Sequence, residues 1–156
     1  MRVILDLETD GLLEEATVIY CISYYNIDNY QSKTLTDYNS MIDFLLQEDL
    51  TIIGHNIIRF DIPVANKLLN INIKARLIDT LGISWYLYPL RKKHGLEIWG
   101  DELGVEKPKI EDWVNQNLSD YINRCEQDVV INTLLWNKMI DYLKMIYETS
   151  DGINRI

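Results

Sequence analysis

Four carboxylates in this chain have the types and spacing to do chemistry together. Asp6 and Glu8 lie two apart in a segment that alternates, with Val3, Leu5 and Leu7 on one side and Ile4, Asp6 and Glu8 on the other. Read as a strand, it projects both acids to the side where a second layer would pack. Carboxylates held this close repel and raise each other's pKa unless a cation lies between them. Asp61 ends the run Gly54-His55-Asn56-Ile57-Ile58-Arg59-Phe60-Asp61, which leaves a short apolar strand and opens a helix. Asp128 stands three residues before Ile131, where an apolar helical stripe begins. It is expected to open the last long helix and to face the sheet, where an acid needs a partner or a metal. Singly, each acid has an ordinary reading: a solvated strand end, an acid favoured at a helix N-terminus, a half-exposed edge residue. Together they can converge on one site. Oxygen-only ligands suit Mg²⁺ or Mn²⁺ rather than zinc, and a pair of such ions can activate a water and stabilise the leaving oxygen of a phosphodiester.

The elements that must hold these acids are readable from periodicity. Strands are expected over Arg2–Glu8, Thr17–Tyr25 and Tyr30–Leu35, the first turning at Asp10-Gly11, followed by Thr51–Gly54 and a short one at Leu77-Ile78. Helices are expected around Tyr38, Ile42, Leu45 and Leu46 with Asp37 as cap, over Phe60–Leu69, over Thr80–Tyr88, and over Leu96–Leu103 ended by Gly104. Ser119 is expected to cap a helix leading into the last one, whose stripe is Ile131, Leu135, Met139, Tyr142 and Ile146. Strands come first and then alternate with helices, so the expected class is α/β, a mixed sheet with helices on both faces. Trp85, Trp99, Trp113 and Trp136 fall within helical patterns and are expected in the core.

At 156 residues the chain is the size of one domain, read as 1–148 with a frayed tail at 149–156. A net charge of −9 argues against broad electrostatic binding to a nucleic-acid backbone. An acidic chain can still act on a short end with the help of cations. Arg91, Lys92, Lys93 and His94 form a basic loop, readable as solvated charge or as a grip on phosphates. Cys21 and Cys125 have no partner at zinc-site spacing and are expected as buried reduced thiols. No apolar run is long enough for a membrane span, and an acid at position 6 comes too early for a signal peptide. The expected compartment is the cytoplasm, the host's if the chain is phage-encoded.

Asp6-x-Glu8, Asn56-x-x-x-Phe60-Asp61 and Asp128 in Glu126-Gln127-Asp128-Val129, in this order and spacing, resemble the three exonuclease motifs of the DEDD (DnaQ-like) superfamily. The match is closest to the proofreading domain of T7-like phage DNA polymerases, where an Asp-Thr pair, here Asp79-Thr80, also follows the second motif. A segment like His94-Gly95-Leu96-Glu97-Ile98-Trp99-Gly100 recurs there before the third. The resemblance covers roughly residues 1–147 and implies a ribonuclease H-like fold, a mixed five-stranded sheet flanked by helices. It implies a 3′–5′ exonuclease that releases nucleoside monophosphates from single-stranded or frayed DNA ends, using two Mg²⁺ or Mn²⁺ ions. Asp6, Glu8 and Asp128 would hold one ion, Asp6 also the second, and Asp61 would act through a water on the metal. Asn56 and Phe60 would shape the site around the terminal nucleotides. A separate polymerase or replication protein is a further expected partner.

The sequence leaves this pattern at one point. The third motif usually carries Tyr four residues before its Asp, or His five before; here Arg124 and Asn123 occupy those positions. The usual residue orients the water, and Arg stays protonated. Losing a positioned proton-transfer group typically costs about 10²–10⁴-fold. Arg124 could instead meet the scissile phosphate with its planar fork, and Tyr121 or His94 could stand in for the missing residue. Two alternatives follow: a DEDD-fold nucleic-acid-binding module whose chemistry has lapsed, and an exonuclease that trims RNA.

Overall fold

The computed structural model describes residues 1–105 and 116–148. Among the described residues ten elements follow one another: β1 (Arg2–Thr9), β2 (Ile19–Asn26), β3 (Gln31–Leu35), α1 (Tyr38–Leu45), β4 (Thr51–Gly54), α2 (Asp61–Leu69), β5 (Arg76–Asp79), α3 (Thr80–Leu87), α4 (Leu96–Leu103) and α5 (Leu118–Glu148). The sheet order is β3-β2-β1-β4-β5. The β1–β2 and β2–β3 pairs are antiparallel, and β1–β4 and β4–β5 are parallel. This is the mixed five-stranded α/β architecture expected from the sequence, with β1 at its centre.

Alternation along β1 decides which layer packs where. Val3, Leu5 and Leu7 join Ile22, Met41, Phe44, Leu45 and Val64 in the larger core, under α1 and α2. Ile4 faces the other way and meets Ile53 and Val129, so α5 lies across the opposite face. On its next flank α5 buries Ile131, Leu135 and Met139 against Leu87, Leu96 and Trp99 of α3 and α4. The capping chemistry is as expected at two points. Asp37 accepts from the Ser40 N–H, and Gly104 ends α4 at a φ of 74°, a left-handed conformation that glycine takes without penalty.

Four expectations are corrected. The last helix is one continuous element of 31 residues beginning at Leu118, so Ser119 lies inside its first turn rather than capping a separate helix. Asp128 accordingly sits about three turns in, not at the helix start. The reason is that the buried stripe runs back beyond Ile131 through Tyr121, Cys125 and Asp128, at steps of three and four that keep one face on the sheet. At its other end the stripe fades sooner, with Ile146 40% exposed. Trp99 is buried and Trp136 packs beside Val129, but Trp85 is 61% exposed and lies outside the core. Trp113 and the 149–156 tail lie outside the described residues. Cys21 and Cys125 are buried free thiols, as expected.

Candidate metal centre

β1 ends beside α5 in a cluster of acids. Asp6, Glu8 and Asp128 each offer a carboxylate oxygen, and these lie within 4.8 Å of one another. Asp6 and Glu8 reach it because they share the α5-facing side of β1, opposite Ser23 and Cys21 of β2. The β1–β2 register slips between Glu8 and Thr9, an irregularity of the kind that re-aims a strand side chain at a sheet end. Asp128 reaches it from the buried face of α5, where it is 3% exposed. The Cys125 thiol donates to the Asp6 carbonyl at 3.2 Å, pinning α5 to β1 one turn before Asp128. Burial holds that thiol well above its usual pKa, with Cys21 and Asp6 adding to the effect, so it stays a neutral donor. Three converging carboxylates with no nitrogen or sulfur ligand among them form a donor set that fits a hard divalent cation such as Mg²⁺ or Mn²⁺.

Asp61 stands outside this trio. It opens α2 at the far side of β1, is 4% exposed, and accepts from the backbone N–H groups of Leu7 and of its own residue. Burial pushes its carboxyl up to about 7; the Leu7 and own-residue N–H bonds oppose this, while the nearby Glu8 and Asp79 charges reinforce it. The ordinary value is 3.8, so the fold favours the protonated form, and stability from this group is full in acid and lost as pH rises through about 7. In metal-free buffer, Asp61→Asn should therefore melt higher than the parent at pH 8, by the equivalent of up to about 4 kcal/mol. At pH 4 the two should melt alike. Parallel melting curves across that range would show that Asp61 is not held protonated.

The second-motif loop is shaped from beneath by the Asp79-Thr80 pair. The Asp79 carboxylate accepts from the N–H groups of Asn56 (2.9 Å), Ile58 (3.2 Å) and Leu81 (2.9 Å), capping α3 and fastening the loop together. Asn56 thereby keeps a φ of 67°, a left-handed conformation that few residues besides Gly and Asn accept readily. Gly54 is required for a different reason: a Cβ there would come within 1.9 Å of Ile57 Cγ2. The Thr80 hydroxyl lies 3.2 Å from the Gly54 carbonyl, 2.8 Å from Asn132 Oδ1 and 3.0 Å from His55 Nδ1. Sequence reading did not single out His55 or Asn132, and it gave Cys125 only as a buried thiol, not as a donor to β1. Asn132 could have been found, because it is a polar residue on the buried stripe one turn beyond Asp128.

Arg124 lies one turn before Asp128, and its Nε is 3.0 Å from Glu8 Oε1. The position that departs from the family pattern thus places a guanidinium beside the acid cluster. Tyr121, a turn earlier, is 2% exposed and stacks on Tyr20 with ring centroids 4.0 Å apart. Burial, Tyr20 and the Glu8 and Asp10 charges push its phenol up to about 12. Phe60 and Glu8 line one cleft of about 360 Å³. Asn56 lines a separate groove on the other side of the loop.

The basic loop has a packing role. Arg91 pairs with Glu102 at 2.6 Å, donates to the Lys93 carbonyl at 2.6 Å and lies 3.7 Å above the Trp99 ring. His94 is 4% exposed, with Nδ1 2.7 Å from Ser84 Oγ and Nε2 3.0 Å from the Arg91 carbonyl. Lys92 and Lys93 are exposed. No helix among the described residues is long and apolar enough to cross a membrane.

Known structures share this architecture. NrnC of Brucella melitensis, solved with bound Mg²⁺, is 18% identical with a TM-score of 0.69, over 97% of this chain and 77% of its own. Escherichia coli RNase D, described as an exoribonuclease involved in structured RNA processing, is 14% identical with a TM-score of 0.65, over 97% of this chain and 42% of its own. E. coli exonuclease I in complex with a dT13 oligonucleotide is 12% identical with a TM-score of 0.58, over 94% and 43%. No curated protein matches the chain in sequence. The RNase_H superfamily model, however, matches residues 3–117, from β1 through every strand of the sheet and on past α4. The chain belongs to the RNase H superfamily.

Proposed function

We propose that this protein is a metal-dependent 3′–5′ exonuclease acting on single-stranded nucleic-acid ends, with residues 1–148 as the working unit. The observation that carries the reading is the convergence of Asp6, Glu8 and Asp128 from two elements onto one point. Such a cluster is costly to bury unless something cationic shares it. Asp6, Glu8 and Asp128 would hold Mg²⁺ or Mn²⁺, with Asp6 shared between two ions and Asp61 reaching them indirectly. The bound ions would supply an activated water and stabilise the leaving 3′-oxygen. The chain's own residues do the rest. Phe60 lines the cleft beside Glu8 and limits what can sit there. Asn56, fixed by Asp79, shapes the loop over the terminal nucleotides. Arg124 offsets the charge of Glu8 and presents a fork suited to the scissile phosphate.

DNA is the substrate favoured by motif order and spacing, including the Asp79-Thr80 pair and the His94–Gly100 segment. These also support kinship with the proofreading domains of T7-like polymerases and a replication protein as partner. RNA is a second reading, supported by the likeness to RNase D. Matched DNA and RNA single strands, compared by kcat/KM, separate the two. Metal binding has its own test. A ligand at 100 times its Kd adds roughly 2.7 kcal/mol to the native state. Mn²⁺ should therefore raise the melting temperature, and much less so in Asp6→Ala. An equal rise in that variant would put the ions elsewhere.

A further inference from the structure

We propose that the groove between the Asn56–Arg59 loop and α3 is a second nucleotide-binding site, where Trp85 stacks on a base of single-stranded nucleic acid 5′ of the cleaved end. The inference rests on the exonuclease reading and extends it to how the strand is held. The groove encloses about 500 Å³ and is lined by Asn56, Ile58, Arg59, Leu81, Gly82 and Trp85, with Asp79 beneath, within the roughly 300–1,000 Å³ of ligand pockets. α3 turns Thr80, Ser84 and Leu87 inward and leaves Trp85 61% exposed, while Ile58 opposite is 53% exposed.

The indole is presented rather than loose. It stacks on His94 with centroids 4.5 Å apart and planes 12° from parallel. His94 is locked in turn, since its Nε2 can only donate to the Arg91 carbonyl, and Ser84 Oγ links its Nδ1 to the Trp99 N–H. His94 and Trp99 of the His94–Gly100 segment thus serve as the footing of an exposed aromatic surface. A pre-positioned ring binds with less ordering cost.

Charge and continuity select the occupant. Arg59 is exposed at the rim, and the groove's one acid, Asp79, is turned towards three backbone N–H donors. A flat aromatic beside one cation matches the base and phosphate of a nucleotide. The Asn56–Phe60 loop lends Asn56, Ile58 and Arg59 to this groove and Phe60 to the cleft that holds Glu8, so a strand that follows the loop out of the cleft is led towards Trp85. In a chain with net charge −9, stacking supplies grip that a basic surface does not.

The test is binding of a fluorescein-labelled single-stranded octamer and a dinucleotide in EDTA, by anisotropy. Trp85→Ala should weaken octamer binding about tenfold, consistent with loss of one base stack, and lower the octamer-to-dinucleotide affinity ratio to match; Trp85→Phe should restore part of it. A Cβ at Gly82 meets no atom within 4 Å, so Gly82→Glu can place a carboxylate in the groove without displacing its neighbours and should weaken the octamer by repelling phosphate. If Trp85→Ala and Gly82→Glu bind the octamer normally while the parent still trims it, the groove assignment is overturned and the exonuclease reading stands. If the parent neither binds nor trims the octamer, both fall. Concentration-dependent self-association abolished by Trp85→Ala would assign the patch to a second copy of the chain and overturn the proposal.

Discussion

Asp128→Asn is expected to abolish nucleotide release, a fall of at least about 10³-fold, since a metal centre supplies several kcal/mol of transition-state stabilisation and each 1.36 kcal/mol is tenfold. Asparagine keeps the shape of the side chain and removes one charge. Asp128 is almost fully buried, one turn from Arg124 and beside the strand-borne Asp6 and Glu8. Relieving that repulsion should leave the metal-free protein at least as stable as the parent, so loss of activity cannot be ascribed to unfolding. Circular dichroism melts in EDTA and an assay on the same preparations check both halves. Activity within tenfold of the parent would move the chemistry away from this cluster.

Arg124→Tyr carries the second large effect and should lower kcat about 10- to 100-fold. The change restores the residue found at this position in the family pattern, yet it withdraws a guanidinium that stands 3.0 Å from Glu8. If that guanidinium meets the phosphate as charge develops, its loss acts on the transition state. Arg124→Lys should recover only part, because an ammonium cannot form a planar fork. The same cation competes with metal for Glu8, so Arg124→Gln should bind Mn²⁺ more tightly by titration calorimetry while melting lower without it, by about 1–3 kcal/mol. A gain in kcat for Arg124→Tyr with KM unchanged would mark Arg124 as an obstruction and the natural enzyme as attenuated.

Most of the sheet was legible because its strands carry their own pattern. Period-two alternation marked β1, and with it the direction in which Asp6 and Glu8 point; Gly104 and Asp37 marked helix ends through local backbone chemistry. The start of α5 was not legible for a physical reason. Tyr121, Cys125, Asp128 and Asn132 line its buried face, and a stripe containing an acid and an amide does not read as hydrophobic. Asp128 was expected to face the sheet, but that the helix already runs about three turns before it is decided by tertiary packing. Trp85 failed in the opposite sense, since an apolar residue at helical spacing was read as core when α3 turns it outward. The role of Asp79-Thr80 was likewise invisible, because hydrogen bonds to Asn56, Ile58 and Asn132 span distances in sequence that no local pattern encodes.

The measurement closest to the central claim is a time course on a 5′-labelled single strand beside a circular single strand of the same sequence, with Mg²⁺, Mn²⁺ or EDTA. The linear strand should shorten as a descending ladder of single-nucleotide steps with either metal and stay intact in EDTA, and the circle should survive throughout. Cuts in the circle, or a ladder that persists in EDTA, would contradict a metal-dependent exonuclease; an intact linear strand with every metal would leave the acid cluster as part of a binding module rather than an enzyme.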